Sequence, residues 1–175
     1  MGEIKSTLDL VMERTRHLSL SADEKARQQK EDFLRRLQGV LQQYADGALT
    51  TEQLGERVAA LEAAHGVSGR RWLLSAVADR IDPDRSADHW VALLAEFDPA
   101  MGVSTAAILG EYRDARAEIY EAGSARQRQR LEKDYGIHGL AVVPNLSRDK
   151  NVQERLAALR VQTRSRIAAL SGTVD

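Results

Sequence analysis

Apolar residues recur at intervals of three and four along nearly the whole chain, and this spacing constrains the fold more than any other feature. Over the first twenty residues this spacing is followed by Ile4, Leu8, Val11, Thr15 and Leu18, and it returns in every later segment but one. Residues three and four apart share one face of an α-helix. The sequence therefore predicts an all-α protein, a bundle of seven to eight helices.

Capping residues and glycines divide this pattern into separate helices. Ser21 with Glu24, and Thr50 with Gln53, fit the capping box, in which two side chains each accept a free backbone N–H at a helix start. Glycine ends helices because it accepts positive φ, and such ends are expected at Gly47, Gly66 and Gly136. Further starts are predicted at residues that can cap a helix, namely Asp84 or Ser86, Ser104 or Thr105, Ser124, and Ser147.

Two places decide how the second half of the chain is divided. Asp98-Pro99 is expected to end a helix, and Gly123-Ser124 to break the long apolar pattern that follows it rather than kink it. Residues 136–145 are the one segment without helical spacing, with two glycines, a β-branched pair and a proline. A single strand without a partner is unstable, so we expect an extended apolar loop that lies against the helices.

The N-terminal segment suggests a surface for protein contact. Residues 1–47 are predicted to form a helical hairpin with a heptad-like apolar seam, which can project as an arm from a main bundle of residues 48–175. The residues proposed for this interface are Ile4, Leu8, Val11, Phe33, Leu37, Val40 and Tyr44. Our first hypothesis is accordingly a non-catalytic helical protein that docks to another protein or self-associates as a homo-oligomer.

Charge is split along the chain, although the net charge is only −1. Residues 126–170 hold ten Lys or Arg against four Asp or Glu, while residues 1–125 hold fifteen against twenty-one. The favoured interpretation is that the two parts face each other, within the chain or across a dimer. The alternative is nucleic-acid or polyanion binding through Arg126, Arg128, Arg130, Lys133, Arg160, Arg164 and Arg166, where only Tyr135 is available to stack on bases.

Catalytic and cofactor signatures are not evident in the sequence. There is no cysteine and no nucleotide-binding glycine loop, so we expect neither a catalytic constellation nor a cofactor. Asp82, Asp84, Ser86 and Asp88 alternate like calcium ligands, but the required Gly and Glu positions hold Ala87 and Leu93, and no metal site is expected. His138, between two glycines of the loop, is the candidate for a small-ligand or enzyme site and forms the third hypothesis.

Two stretches carry a resemblance to a known group of proteins. The opening residues 1–15, MGEIKSTLDLVMERT, and the loop from Tyr135-Gly136-Ile137 to residues 141–145, AVVPN, resemble an uncharacterised family of short bacterial all-helical proteins. The resemblance implies a bacterial cytoplasmic setting and brings no activity, cofactor or site with it. The apolar runs are too short for a membrane span, and charges near the N-terminus argue against a secretion signal. We therefore expect a cytoplasmic protein without a membrane partner.

Overall fold

The structure, a computed structural model, describes residues 21–139 and 141–172. Within those ranges it contains six α-helices, one short 3₁₀ helix and no strand, which confirms the all-α class. The predicted number of seven to eight helices is higher than the six described. The predicted helix with Ile4, Leu8 and Val11 lies outside the described residues. The helices are α1 (Ala22–Ala45), α2 (Thr51–His65), α3 (Arg70–Ala78), α4 (Asp88–Phe97), α5 (Pro99–Tyr135) and α6 (Lys150–Gly172), with the 3₁₀ helix at Leu146–Arg148.

The chain divides into two compact units, with the boundary between Gly69 and Arg70. In the first unit both predicted capping boxes are present. The Ser21 hydroxyl accepts from the Glu24 N–H at 3.2 Å, and Thr50 does the same for Gln53. Gly66 ends α2 with a φ of +63°. These helix limits are set by neighbouring residues alone, which is why the sequence predicts them correctly.

The core of the first unit lies between α1 and α2. Phe33 and Leu37 of α1 are fully buried, as is Leu54 of α2. The Phe33 ring meets His65 edge-on, with 6.4 Å between the ring centroids. Gly69 approaches this ring so closely that a Cβ there would lie 2.6 Å from Phe33 Cζ. The apolar side of α1 is thus covered by its own unit.

In the second unit, α5 begins five or six residues earlier than predicted. Asp98-Pro99 ends α4, as expected, but it also starts α5, with Asp98 accepting from the Met101 N–H at 2.9 Å. The prediction of a start at Ser104 or Thr105 is therefore wrong. Proline suits the first position of a helix, where its missing N–H has no intrahelical partner to lose.

Helix α5 then runs unbroken to Tyr135, so the predicted break at Gly123-Ser124 is wrong. Gly123 serves close contact between helices instead, because a Cβ there would lie 2.6 Å from Cγ2 of Val152 on α6. Ile119, Val152 and Leu156 form a buried cluster at this crossing. Glycine inside a helix costs about 1 kcal/mol relative to alanine, and at this position it allows the close contact between the helices.

Two other predicted caps are absent. Helix α4 starts at Asp88 without a side-chain cap, and Ser86 donates to the Asp88 carboxylate at 3.1 Å. Ser147 lies within the 3₁₀ helix, and the Val152 N–H near the start of α6 is accepted by Asp149. At α6 the error arises because the nearby Ser147 and Asp149 are both suitable as caps, whereas at α4 no side chain caps the helix start.

The segment after α5 is a loop, as predicted, but the helices leave several of its apolar residues exposed. Ile137 and Val143 are 49% and 85% exposed. Gly136 ends α5 with a φ of +65°, and the Arg128 Nε–H donates to the Val142 carbonyl at 3.2 Å. Within the described ranges, no helix is long and apolar enough to cross a membrane.

Candidate functional site

A buried carboxylate in the second unit gathers side chains from three parts of the chain. Asp84 lies in the turn between α3 and α4, where the Asp82 carboxylate accepts from the Asp84 N–H at 3.1 Å. The Asp82 carbonyl closes the turn by accepting from the Arg85 N–H at 3.0 Å. The turn fixes the backbone of Asp84, and its side chain is only 22% exposed.

Three side chains from α5 and α6 surround this carboxylate. The buried Tyr112 donates its hydroxyl hydrogen bond to Asp84 Oδ1, and the Arg160 guanidinium forms an ion pair with Oδ2. Arg116 lies one turn after Tyr112, with its Nε 3.8 Å from Oδ1. The Arg116 guanidinium also lies over the Tyr120 ring, 5.5 Å from its centroid. We call Asp84, Tyr112, Arg116 and Arg160 the Asp84 cluster.

The neighbours of Asp84 set the protonation states of the cluster. Burial acts to raise the pKa of Asp84, but the Tyr112 hydrogen bond and the charges of Arg160 and Arg116 outweigh it, so this pKa lies below its ordinary value of 3.8. Burial, together with the bond to Asp84, raises the pKa of the Tyr112 hydroxyl. At neutral pH the cluster therefore contains one carboxylate, one neutral phenol and two guanidinium groups, with a net charge of +1.

Asp84 and Arg116 line two neighbouring clefts. The first, about 330 Å³, lies towards the start of α4 and includes Arg113. The second, about 410 Å³, lies between α5 and α6 and is lined further by Tyr120, Leu156 and Arg160. We call the second the α5–α6 cleft. Its size is within the range of small-molecule sites, and its walls combine guanidinium groups with an aromatic ring.

Sequence reasoning considered Asp84 as a helix cap and as part of a calcium-like pattern that it rejected, and it did not find the actual partners of this residue. No group of three His, Asp or Glu residues placed to hold a metal ion occurs in residues 21–139 or 141–172. The one available signal was Tyr112 on an apolar helix face, because a buried tyrosine hydroxyl needs a hydrogen-bond partner. The identity of that partner, 28 positions away, depends on the tertiary fold.

Most of the basic residues proposed for polyanion binding make contacts within the chain. Arg160 pairs with Asp84, and Arg166 with Glu111 at 2.7 Å, so acidic and basic parts of the chain meet at these points. Further contacts within the chain are those of Arg126 with Asp149, Arg128 with the Val142 carbonyl, Arg130 with Asp134, and Arg164 with the Asp79 carbonyl. Lys133 is exposed, and no ion pair to it is seen in the described residues.

Asp149, the ion-pair partner of Arg126, also accepts a hydrogen bond at the start of α6. Its carboxylate, 8% exposed, accepts from the Val152 N–H, from Gln127 at 2.8 Å and from Arg126 at 3.2 Å. The Gln127 bond is the main cause that lowers the pKa of Asp149 below its ordinary value. The acidic residue therefore links α5 and α6 and caps the second of them.

We expect Asp149→Ala to lower the free energy of unfolding of the second unit by about 1–2 kcal/mol, the usual range for a lost helix cap. Both tryptophans, Trp72 and Trp90, belong to this unit, so their fluorescence during urea unfolding measures its stability. The matched control is Asp134→Ala, which removes an exposed ion pair with Arg130 and is expected to change stability by less than about 0.5 kcal/mol. Equal effects of the two variants would contradict the capping role.

The other predicted site residues are placed as follows. Phe33, Leu37 and Val40 are buried within the chain, so their side chains are not displayed for a partner in this structure. Tyr44 is half-buried, with its hydroxyl 3.5 Å from that of Thr51. His138 is exposed and lines neither cleft.

Comparisons with known proteins add no site to this description. No family model, no curated protein and no solved structure matches the chain. Its function must therefore be argued from its own surfaces and clefts.

Proposed function

We propose that the chain is a non-catalytic docking protein that binds a partner protein through residues 135–143, the docking segment. One observation carries this proposal. The described residues expose five large apolar side chains, and three of them lie within these nine positions: Tyr135 at 68%, Ile137 at 49% and Val143 at 85%. Isolated exposed apolar residues are ordinary, whereas a local concentration of them is typical of protein-contact surfaces.

Hydrogen bonds anchor described residues of the docking segment before any partner binds. Gly136 turns the chain at the end of α5. Arg128, about two turns before this end of the helix, donates a hydrogen bond to the Val142 carbonyl. The Val142 N–H donates in turn to the Gly139 carbonyl at 3.2 Å. Such anchoring reduces the conformational entropy that is lost on binding, which favours affinity.

The charge around the docking segment specifies the chemistry of the partner. Residues 126–150 contain six Lys or Arg against three Asp or Glu, a net charge of +3. Exposed apolar side chains in a region of net positive charge match a protein segment that carries carboxylates beside apolar groups. Tyrosine is enriched at such interfaces, which gives Tyr135 the role of an anchor.

The described residues support docking through this segment better than they support the two surfaces proposed from the sequence. Phe33 and Leu37, on the apolar side of α1, are already buried in the chain. Six of the seven basic residues proposed for polyanion binding have partners within the chain. Nucleic-acid binding and self-association remain alternative hypotheses that the experiment below separates.

We expect the double variant Tyr135→Ser/Ile137→Ser to lose a protein partner that the wild-type chain retains. The tagged chain is purified from cells of its source organism with nuclease treatment, and the bound proteins are identified by cross-linking mass spectrometry. A stoichiometric partner whose cross-links fall at Lys133 is expected, with recovery reduced about tenfold or more in the variant because buried aromatic anchors dominate such interfaces. Both replaced side chains are exposed, so stability should change by less than about 0.5 kcal/mol.

The matched control is Val161→Ser, which removes an equally exposed apolar residue from α6 and is expected to keep the partner. Equal recovery with the control and the double variant would contradict docking through residues 135–143. Light scattering of the purified chain detects self-association. A chain that binds only copies of itself, or only nucleic acid in samples without nuclease, would replace this proposal by the corresponding alternative.

A further inference from the structure

The α5–α6 cleft contains a guanidinium with unused hydrogen-bond donors. Arg116 has five N–H groups, yet its contacts with described residues are the 3.8 Å ion pair with Asp84 and the Tyr120 ring beneath it. The distance to Asp84 is too long for a hydrogen bond. The Asp84 oxygens are already engaged by Tyr112 and Arg160. Arg116 is therefore held in position with its donors available to another acceptor.

We propose that the α5–α6 cleft binds a small molecule that carries an oxyanion, a phosphate or a carboxylate, with Arg116 as the main contact. Two guanidinium groups face one carboxylate in this cleft, so one positive charge is in excess. The planar guanidinium fork matches the oxygens of phosphate and carboxylate groups and forms paired hydrogen bonds with them. Arg160, on the opposite helix, adds its charge to the site.

The other walls of the cleft indicate what the rest of the ligand is like. Tyr120 offers a ring that already stacks beneath Arg116, and Leu156 lies across the cleft on α6. A volume of about 410 Å³ is larger than a bare ion needs and suits a compact metabolite. The ligand class that fits is an anion with a planar or apolar body. This site shares no residue with the docking segment, so it does not depend on the proposed docking function.

The test uses two probes with the same ring and different anionic groups, phenyl phosphate and benzoate. Each is titrated into the full ¹⁵N-labelled chain at constant ionic strength, and the amide shifts are followed by NMR. For ligands of about ten non-hydrogen atoms we expect saturable binding with a Kd on the order of 1–10 mM. The shifts should centre on residues 116–120 and 156–160. The probe that binds more tightly identifies the anionic group.

Variants then separate a site from general surface charge. Arg116→Gln is expected to weaken binding about tenfold or more, because a charge-assisted pair of hydrogen bonds is lost. Arg113→Gln is the matched control. Arg113 carries the same charge as Arg116, lies one turn away from it and lines only the other cleft. It is expected to leave the Kd within about twofold. Arg116→Lys keeps the charge beside Asp84 but lacks the fork, and it is expected to weaken binding even if the Gln variant does not fold.

Three results would overturn the proposal. The first is that neither probe gives saturable shifts in the wild-type chain. The second is that Arg116→Lys binds as tightly as the wild type, which shows that the fork is not used. The third is that Arg113→Gln weakens binding as much as Arg116→Gln, because general surface charge or the other cleft would then explain the shifts.

Discussion

Gly102→Ala is expected to lower the free energy of unfolding of the second unit by about 2 kcal/mol, the net of overpacking and a gain in helix propensity. A Cβ at Gly102 would lie 2.5 Å from Ala95 Cβ and 2.6 Å from Ala95 Cα. Because one of these neighbours is backbone, the side chains cannot relieve the overlap by rotating. The corner between α4 and α5 would have to open. The fluorescence of Trp90, on α4, during urea unfolding measures the loss.

Replacing the glycine eight residues later by alanine should change the free energy of unfolding in the opposite direction. Gly110 lies in the same helix, and a Cβ there would have nothing within 4 Å. Gly110→Ala is therefore expected to stabilise the second unit by about 0.5–1 kcal/mol, because alanine restricts the unfolded chain and favours the helix. If both variants shift stability in the same direction, the close contact at Gly102 is not what determines the outcome.

Asp84→Asn is expected to destabilise the second unit by about 2 kcal/mol at neutral pH. The substitution keeps the shape of the side chain but leaves the guanidinium groups of Arg116 and Arg160 without a counter-charge. Removing one partner of a buried ion pair costs about 3–5 kcal/mol, and we take a lower figure because the carboxylate is 22% exposed and Arg160 is 52% exposed. The control is Glu111→Gln, whose pair with Arg166 lies on the surface. It is expected to cost less than about 1 kcal/mol.

The loss of stability caused by Asp84→Asn should depend on pH in a defined direction. The pKa of Asp84 is lower in the folded chain than its ordinary value of 3.8. A carboxyl group of this kind stabilises the fold above the unfolded pKa, and the contribution disappears as the pH falls through the folded pKa. The stability difference between the wild type and Asp84→Asn should be constant from pH 7 to about pH 5 and shrink below about pH 4. A difference that stays constant down to pH 2 would contradict the charge-based role of Asp84.

The loop after α5 shows where sequence reasoning succeeded in part. Two glycines and a proline correctly predicted a segment that is neither helix nor strand, and Gly136 ends α5 as expected. The expectation that its apolar residues are covered was wrong, since Val143 is largely exposed. Hydrophobicity predicts burial only when another surface is available to cover the residue. Whether such a surface exists is a property of the fold.

Local interactions are what the sequence determined by itself. The spacing of apolar residues fixed the all-α class, and the capping boxes at Ser21 and Thr50 fixed two helix starts, because all the atoms involved lie within a few residues. The start of α5 at Asp98-Pro99 is also local, since Asp98 caps the helix and proline takes its first position. At Gly123 the sequence is compatible with a helix end, and the helix instead continues where it meets Val152 of α6 in the tertiary structure. The Asp84 cluster was likewise decided by tertiary structure. Its members come from positions 84, 112, 116 and 160, and a pairing across such separations forms only where folded helices bring the groups together.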